Sequence, residues 1–205
     1  MIRFDYSGGI NAKGPAIFMD RDGVINCRRP NDYVLNFSQF VFVPGIRAAL
    51  KQLASLRLPI IVISNQAAVG KGLLDHGGLE EISARMHQAL LGDGTTLTAA
   101  YYCPHRQEEN CSCRKPRPGL LHRAAGDFGI DLKRSIFIGD SDSDVEAAWA
   151  AGVSPILFRP EAERSVGIRE VPMAIKAEEL FEIAALCLRE AEAVQARRAP
   201  IAAKT

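Results

Sequence analysis

Five short, largely apolar runs punctuate the chain, and three of them stop abruptly at polar residues. Ala16–Met19 is bounded by Gly14-Pro15 and ends in Asp20-Arg21-Asp22-Gly23. Ile60–Ile63 ends in Ser64-Asn65-Gln66, and Ser135–Ile138 ends in Gly139-Asp140. Ala99–Tyr102 and Ser154–Phe158 complete the set. Runs this short and this continuous read as strands covered on both faces. Segments of helical period lie between them: one opening at Pro44-Gly45 with Ile46, Leu50, Leu53 and Leu56, then Leu79 to Leu91, Gly119 to Gly129, Asp144 to Ala151 and Lys176 to Arg198. Strand-helix alternation predicts an α/β fold of three layers, Rossmann-like, with a central parallel sheet and right-handed crossovers. Ligands of such sheets sit at the carboxyl ends of the strands, where Asp20, Asp22, Ser64 and Asp140 fall.

Residues 1–14, with adjacent glycines and no period, read as a loose leader, and 199–205 as a frayed end. That leaves 15–198 as a single domain. Phe37–Val43 alternates and predicts a small hairpin or flap beside the site. No insertion large enough to fold separately follows either of the first two strands, so no cap domain is expected.

Composition narrows the function. At 205 residues, 47% hydrophobic and 24% charged, the chain can bury a full core. A net charge of +1 gives no support for a nucleic-acid groove or an anionic membrane surface. No apolar run approaches the roughly 20 residues that span a bilayer. Met1–Tyr6 lacks the apolar centre of a signal peptide, so a cytoplasmic monomer with reduced cysteines is expected.

The chemistry starts at Asp20 and Asp22. On a strand, positions i and i+2 share a side, so the two carboxylates project together and Arg21 points away. Two such carboxylates repel unless a cation or proton separates them, which calls for a divalent metal. Gly23 lets the chain turn sharply. Arg28 and Arg29 are candidates for contact with an anionic substrate; two solvated loop arginines are the competing reading. A second signal is Cys103-Pro104-His105 followed by Cys111-Ser112-Cys113. Three thiols and an imidazole at this spacing fit a tetrahedral zinc site with no open position, hence a structural one. A Cys111–Cys113 disulfide would close a strained ring. Cys27 and Cys187 have no partner at metal spacing.

Ala16–Val24 resembles the first motif of the haloacid dehalogenase-like (HAD) phosphatases. Ser64-Asn65, Lys115 and Gly139-Asp140-x-x-x-Asp144 match the next three motifs in order. With Asp32-Tyr33-Val34, Cys103-Pro104-His105, Cys113-Arg114-Lys115-Pro116 and Pro118-Gly119, the resemblance narrows to one branch. That branch comprises the zinc-containing D-glycero-D-manno-heptose-1,7-bisphosphate 7-phosphatases and the related histidinol-phosphate phosphatases. The resemblance implies a nucleophilic Asp20 and a general acid/base Asp22. It implies Mg²⁺ held by Asp20, the Asp22 carbonyl and Asp140, with Asp144 orienting Asp140 from behind. Asp142 either faces the metal or caps the following helix. Ser64, the Asn65 N–H and Lys115 would stabilise the phosphoryl group. Arg114, Tyr33 and Arg28 would contact a small phosphorylated sugar.

Departures from the pattern bear on the sugar. The loop between His105 and Cys111 is short, as in the histidinol-phosphate branch. Ser141 stands where heptose enzymes often have lysine. Ala67 and Ala68 replace small hydroxyl or glycine residues, and Asp22–Tyr33 is slightly long. Histidinol phosphate is therefore the alternative substrate, and a polynucleotide 3′-phosphatase is a distant one. The non-enzyme alternative is a zinc-stabilised interaction module on a degenerate HAD fold.

Overall fold

The computed structural model describes residues 1–9, 13–29, 32–158, 169–171 and 177–198. Among the described residues seven strands form one sheet: β1 (Ile2–Asp5), β2 (Ile17–Met19), β3 (Ile60–Asn65), β4 (Ala99–Cys103), β5 (Ile136–Gly139), β6 (Ser154–Phe158) and β7 (Arg169–Val171). Their spatial order is β1-β4-β3-β2-β5-β6-β7. Every pairing is parallel except β1 with β4. The helices are α1 (Ile46–Ala54), α2 (Ala67–Gly70), α3 (His76–Gly92), α4 (Gly119–Phe128), α5 (Asp142–Ala151) and α6 (Ala177–Arg198).

Both faces of the sheet are covered, which explains the unbroken apolar runs. Ile17 and Met19 of β2 join Val62, Ala100, Tyr102 and Ile138 in a core with residues of α1, α3 and α6. Phe18 points the other way, with Ile61, Ile63, Tyr101 and Phe137, against α4 and α5. The period of two thus assigns alternate residues to two cores. Gly129, with φ +69°, closes α4 in the left-handed conformation usual for a helix terminus.

Two expectations are corrected and one element is added. The N-terminus is no loose leader: Ile2–Asp5 pairs antiparallel with β4 at the sheet edge. Its alternation explains why, since Ile2 and Phe4 face the larger core while Arg3 crosses to an ion pair with Asp127 at 3.2 Å. Phe37–Val43 does not fold back on itself as a hairpin. Phe37–Gln39 is a 3₁₀ turn, and residues 41–43 pair instead with 25–27 through Cys27 N–H to Val41 O at 2.7 Å and Val43 N–H to Ile25 O at 3.0 Å. Stacking of Phe37 on Phe40 at 5.3 Å makes the compact turn preferable to an extended strand. The added element is β7, which extends the sheet past β6. Lys176 and residues 199–205 lie outside the described residues. Among the described residues, no helix is long and apolar enough to cross a membrane, and no separate cap intervenes between the sheet elements.

Candidate active site

β2 stops at Met19, so Asp20 is the first residue beyond the sheet and Asp22 already lies on the turn. Asp20 is only 6% exposed. Its Oδ1 accepts from the Arg21 N–H at 2.7 Å and lies 3.0 Å from Lys115 Nζ. Burial pushes the Asp20 carboxyl up to about 7; Lys115 opposes this, and the charges of Asp144, Asp140 and Asp22 add to it. Asp140 follows β5, and its carboxyl is also raised by burial, with Arg28 acting against the rise. Gly23 makes the approach of Asp140 possible. At φ +92°, a Cβ on Gly23 would stand 1.8 Å from Asp140 Oδ2.

Lys115 is the hub. Its ammonium lies 2.6 Å from Asp144 Oδ1 and donates to the Ile63 carbonyl at 2.9 Å. Burial disfavours the charge, but Asp144 and Asp20 more than offset it, so the lysine stays firmly protonated. The Asn65 side chain grips the backbone of Lys115, donating to its carbonyl at 3.1 Å and accepting its N–H at 3.1 Å. Asn65 therefore holds the lysine through its side chain, whereas sequence reasoning had assigned it only a backbone N–H. Asp144 is nearer the centre than a distant orienter. Its Oδ2 accepts from the N–H groups of Asp140 and Ser141 at 3.2 and 3.1 Å, while Oδ1 meets Lys115. Ser141 and Asp144 form the capping box of α5. Asp142 is consequently not the cap; it sits exposed in the first turn, where an acidic group suits the helix dipole.

The expected geometry around Arg21 is wrong. Because the strand ends before it, the period of two no longer applies. Arg21 turns inward and is 1% exposed. Its Nη2 stands 3.0 Å from both oxygens of Asp22. Asn26 Nδ2 donates to Asp22 Oδ1 at 2.9 Å and Gln66 Nε2 to Oδ2 at 2.7 Å. Burial works to raise the Asp22 carboxyl, but Arg21 and these hydrogen bonds outweigh it and hold it below the usual carboxylate range. Ser64 is fully buried at the end of β3 and accepts from Gln66 Nε2 at 3.1 Å.

A cavity of about 750 Å³ opens at the carboxyl ends of the strands, and Asp20, Arg21, Val34, Ser64, Gln66 and Lys115 are its buried lining residues. Arg28, Arg29, Lys71, Arg114 and Tyr33 line it too. Arg28 stays exposed on its loop, yet its Nη2 donates to Asp140 Oδ1 at 2.7 Å. Arg29 pairs with Asp32. Arg114 Nη1 donates to the His105 carbonyl at 3.3 Å. Lys71 Nζ lies 5.3 Å from the centre of the Tyr33 ring. Sequence reasoning missed Arg21, Asn26, Gln66 and Lys71. Arg21 and Gln66 stand beside motif residues, but nothing local announces Asn26 or Lys71.

Two groups of side chains match the chemistry of metal donors. One carboxylate oxygen each from Asp20, Asp140 and Asp144 lies within 4.8 Å of the others. Such hard oxygens suit Mg²⁺. Cys103, His105, Cys111 and Cys113 form the second group. Cys103 Sγ is 3.5 Å from His105 Nδ1, 3.5 Å from Cys111 Sγ and 3.4 Å from Cys113 Sγ. Cys113 Sγ is 3.3 Å from His105 Nδ1 and 3.6 Å from Cys111 Sγ. Bonds of roughly 2.0–2.3 Å to a tetrahedral Zn²⁺ require ligand separations of about 3.4–3.8 Å, so the donor set fits zinc. No disulfide forms among these thiols. The loop is tied to the site through Gln66 N–H to Cys103 O at 2.7 Å and Gly70 N–H to Pro104 O at 2.9 Å.

Known proteins resemble this chain in sequence and in fold. A family model described as HAD-hydrolase-like matches residues 112–175. The D-glycero-beta-D-manno-heptose-1,7-bisphosphate 7-phosphatase of Escherichia coli K12 is 33% identical over 181 residues, covering 79% of this chain and 94% of the relative. The D-glycero-alpha-D-manno-heptose-1,7-bisphosphate 7-phosphatase of Mycobacterium tuberculosis is 41% identical over 133 residues, 64% of this chain and 70% of the relative. The D,D-heptose 1,7-bisphosphate phosphatase of B. bronchiseptica, solved in complex with magnesium and phosphate, superposes with a TM-score of 0.75 at 31% identity, covering 83% of this chain and 99% of that one. With the fold, the order of the motifs and these relatives in agreement, the chain is a phosphatase that belongs to the haloacid dehalogenase-like superfamily, in the branch of the heptose-1,7-bisphosphate 7-phosphatases.

Proposed function

We propose that this phosphatase removes the 7-phosphate of a D-glycero-D-manno-heptose 1,7-bisphosphate through a phosphorylated Asp20. The observation that carries the reading is Asp20 itself. It is buried at a strand end, 3.0 Å from Lys115 and within one carboxylate cluster with Asp140 and Asp144. A structural carboxylate has no need of two more carboxylates beside it.

In this reading a carboxylate oxygen of Asp20 attacks phosphorus, and the bond to the sugar oxygen breaks with its electron pair on that oxygen. Asp22 is ionised in the free site, so it takes up the proton of an arriving phosphate monoanion and passes that proton to the departing oxygen. Water then attacks the phosphorus of the acyl phosphate and passes a proton to Asp22, releasing phosphate and restoring Asp20. Lys115 and the Ser64 hydroxyl offer donors to the equatorial phosphoryl oxygens as charge spreads over them. Asp20, Asp140 and the carbonyl of Asp22 would hold Mg²⁺, with Asp144 behind them. The ion supplies positive charge that lets an anionic phosphate meet an anionic nucleophile. Zinc on the four-donor cluster would fix the loop that carries Arg114 and Lys115. Arg28, Arg114 and Lys71 give the cavity the positive charge that a substrate with two phosphates requires.

The test is turnover of α- and β-anomers of the heptose bisphosphate, histidinol phosphate and a 3′-phosphorylated oligonucleotide, followed by ³¹P NMR. The proposal expects the heptose bisphosphate to give the highest kcat/KM and its C7 signal to be lost while the C1 phosphate remains. Preferential release of the C1 phosphate, or faster turnover of histidinol phosphate, refutes it.

A further inference from the structure

We propose that Cys111 and Cys103 form a peroxide-sensitive pair whose oxidation ejects the zinc and displaces the segment carrying Arg114 and Lys115. The inference rests on the reading of the four donors as a zinc site, and it holds whichever phosphate ester the enzyme hydrolyses.

The four donors are not equally protected. Cys103 and Cys113 are buried, whereas Cys111 is only half-buried. A second cavity of about 440 Å³ opens over it, and of the four donors Cys111 alone belongs to the lining. Asn65, Arg114, Lys115 and Ser143 line both this cavity and the catalytic one. A small oxidant therefore has a route to one sulfur, and that sulfur adjoins the site. Zinc holds cysteine as the thiolate, which is also the form that reacts with peroxides.

The geometry selects the partner. Cys111 Sγ lies 3.5 Å from Cys103 Sγ and 3.6 Å from Cys113 Sγ. Cys113 is two positions away and would close a strained ring, whereas Cys103 is eight positions away and closes a relaxed one. The Cys111 thiolate attacks one oxygen of hydrogen peroxide, and the O–O bond breaks with its electron pair on the other oxygen, which leaves as hydroxide. Cys111 is then a sulfenic acid. The Cys103 thiolate attacks that sulfur, the S–O bond breaks, and a second hydroxide leaves. Two thiolates are oxidised to one disulfide, one peroxide is reduced, and the two hydroxides take up two protons to become water. Zinc is left with His105 and Cys113, too few donors for a closed tetrahedral site.

The fold decides what moves. Cys103 ends β4, which is paired with β1 on one side and β3 on the other, and its carbonyl accepts the Gln66 N–H at 2.7 Å. Cys111 lies on the loop. Shortening 3.5 Å to an S–S bond of about 2.05 Å therefore draws the loop by about 1.4 Å. The loop has little room to absorb this. Arg117 Nη1 holds the Cys111 carbonyl at 2.7 Å. A Cβ on Gly119 would stand 2.3 Å from the Ser112 carbonyl oxygen, so the start of α4 is packed against the same backbone. With Cys113 released from the metal, the pull passes to Arg114 and Lys115.

The experiment treats reduced, zinc-loaded enzyme with a small molar excess of hydrogen peroxide in the presence of pyridylazoresorcinol, which reports free zinc by absorbance. Tandem mass spectrometry of unreduced peptides locates the disulfide, and p-nitrophenyl phosphate turnover is followed on the same sample. About one zinc per chain should be released, and none without peroxide. Release should run in step with a Cys103–Cys111 disulfide and a loss of roughly 10–10²-fold in kcat/KM, the scale of a ~1 Å displacement. Dithiothreitol with added zinc should restore turnover. Cys27→Ala, which lacks the other partly exposed thiol, should respond as the wild type does. Zinc retained with turnover unchanged, a disulfide between other cysteines, or Cys111 oxidised irreversibly with no disulfide would overturn the switch alone. Untreated enzyme that holds no zinc would overturn the reading of the donor set and the switch with it.

Discussion

Gly23→Ala puts the least possible mass in the most sensitive place. The new methyl carbon would stand 1.8 Å from Asp140 Oδ2 and 2.4 Å from its Cγ, where ordinary contact begins near 3.4 Å. Asp140 must retreat by more than ~1 Å, or the turn must open. Mg²⁺ tolerates little of this, because it demands oxygen ligands at about 2.0–2.1 Å in near-ideal octahedral geometry. Forcing a residue with a Cβ to φ +92° also costs about 1–3 kcal/mol. A domain stable by roughly 5–15 kcal/mol survives that. Melting should fall by about 2–12 °C for a chain of this size, with the fold intact. Activity should fall much further, by on the order of 10²-fold in kcat/KM. The Mg²⁺ concentration for half-maximal activity should rise by at least about tenfold. Differential scanning fluorimetry and a Mg²⁺ titration of phosphatase activity on the same sample decide it. An alanine variant with wild-type rate and wild-type Mg²⁺ dependence would refute the reasoning, because Asp140 could then not be where the turn leaves room for it.

Three further outcomes are expected. Cys113→Ser should abolish zinc binding by metal analysis and lower kcat/KM by roughly 10–10²-fold while circular dichroism stays native, since Asn65 still grips Lys115 when the loop loosens. Lys71→Ala should raise KM for a sugar bisphosphate by several-fold, about one charged hydrogen bond's worth, and leave p-nitrophenyl phosphate turnover nearly unchanged; equal effects on both would remove Lys71 from substrate recognition. Asp127 accepts from Tyr101 Oη at 2.7 Å and pairs with Arg123; burial acts against these contacts, yet its carboxyl is held below the usual range. A depressed carboxylate stabilises the fold above its unfolded pKa of about 3.9, and that contribution fades as pH falls through the lower folded value. Asp127→Asn should therefore flatten the acid limb of a plot of melting temperature against pH, and an unchanged limb would contradict the ion-pair reading.

Much of this was legible in the sequence, for identifiable reasons. β2, β3 and β5 were plain because helices cover both faces, leaving no polar position until the chain reaches the ligand edge. The two donor clusters were plain because metals need particular atoms at short spacing. What escaped depends on distant partners. β1 was hidden because an edge strand of four residues gains its structure from β4, almost a hundred positions away. The hold of Asn65 on Lys115 spans fifty residues. Arg21 misled because the strand ends at Met19, one residue before the alternation was applied. Lys71 lies in the connection between β3 and α3, and only folding sets it over Tyr33.

The central claim is that Asp20 carries the phosphoryl group, and rapid-quench mass spectrometry tests it most directly. Wild-type enzyme mixed with substrate and Mg²⁺, then quenched in acid within milliseconds and digested, should yield the peptide containing Asp20 with one added phosphoryl group. Hydroxylamine should remove that group, and Asp20→Asn should lack both the adduct and turnover. Phosphate found on a serine or cysteine, or an Asp20→Asn variant that still turns over, would contradict the account.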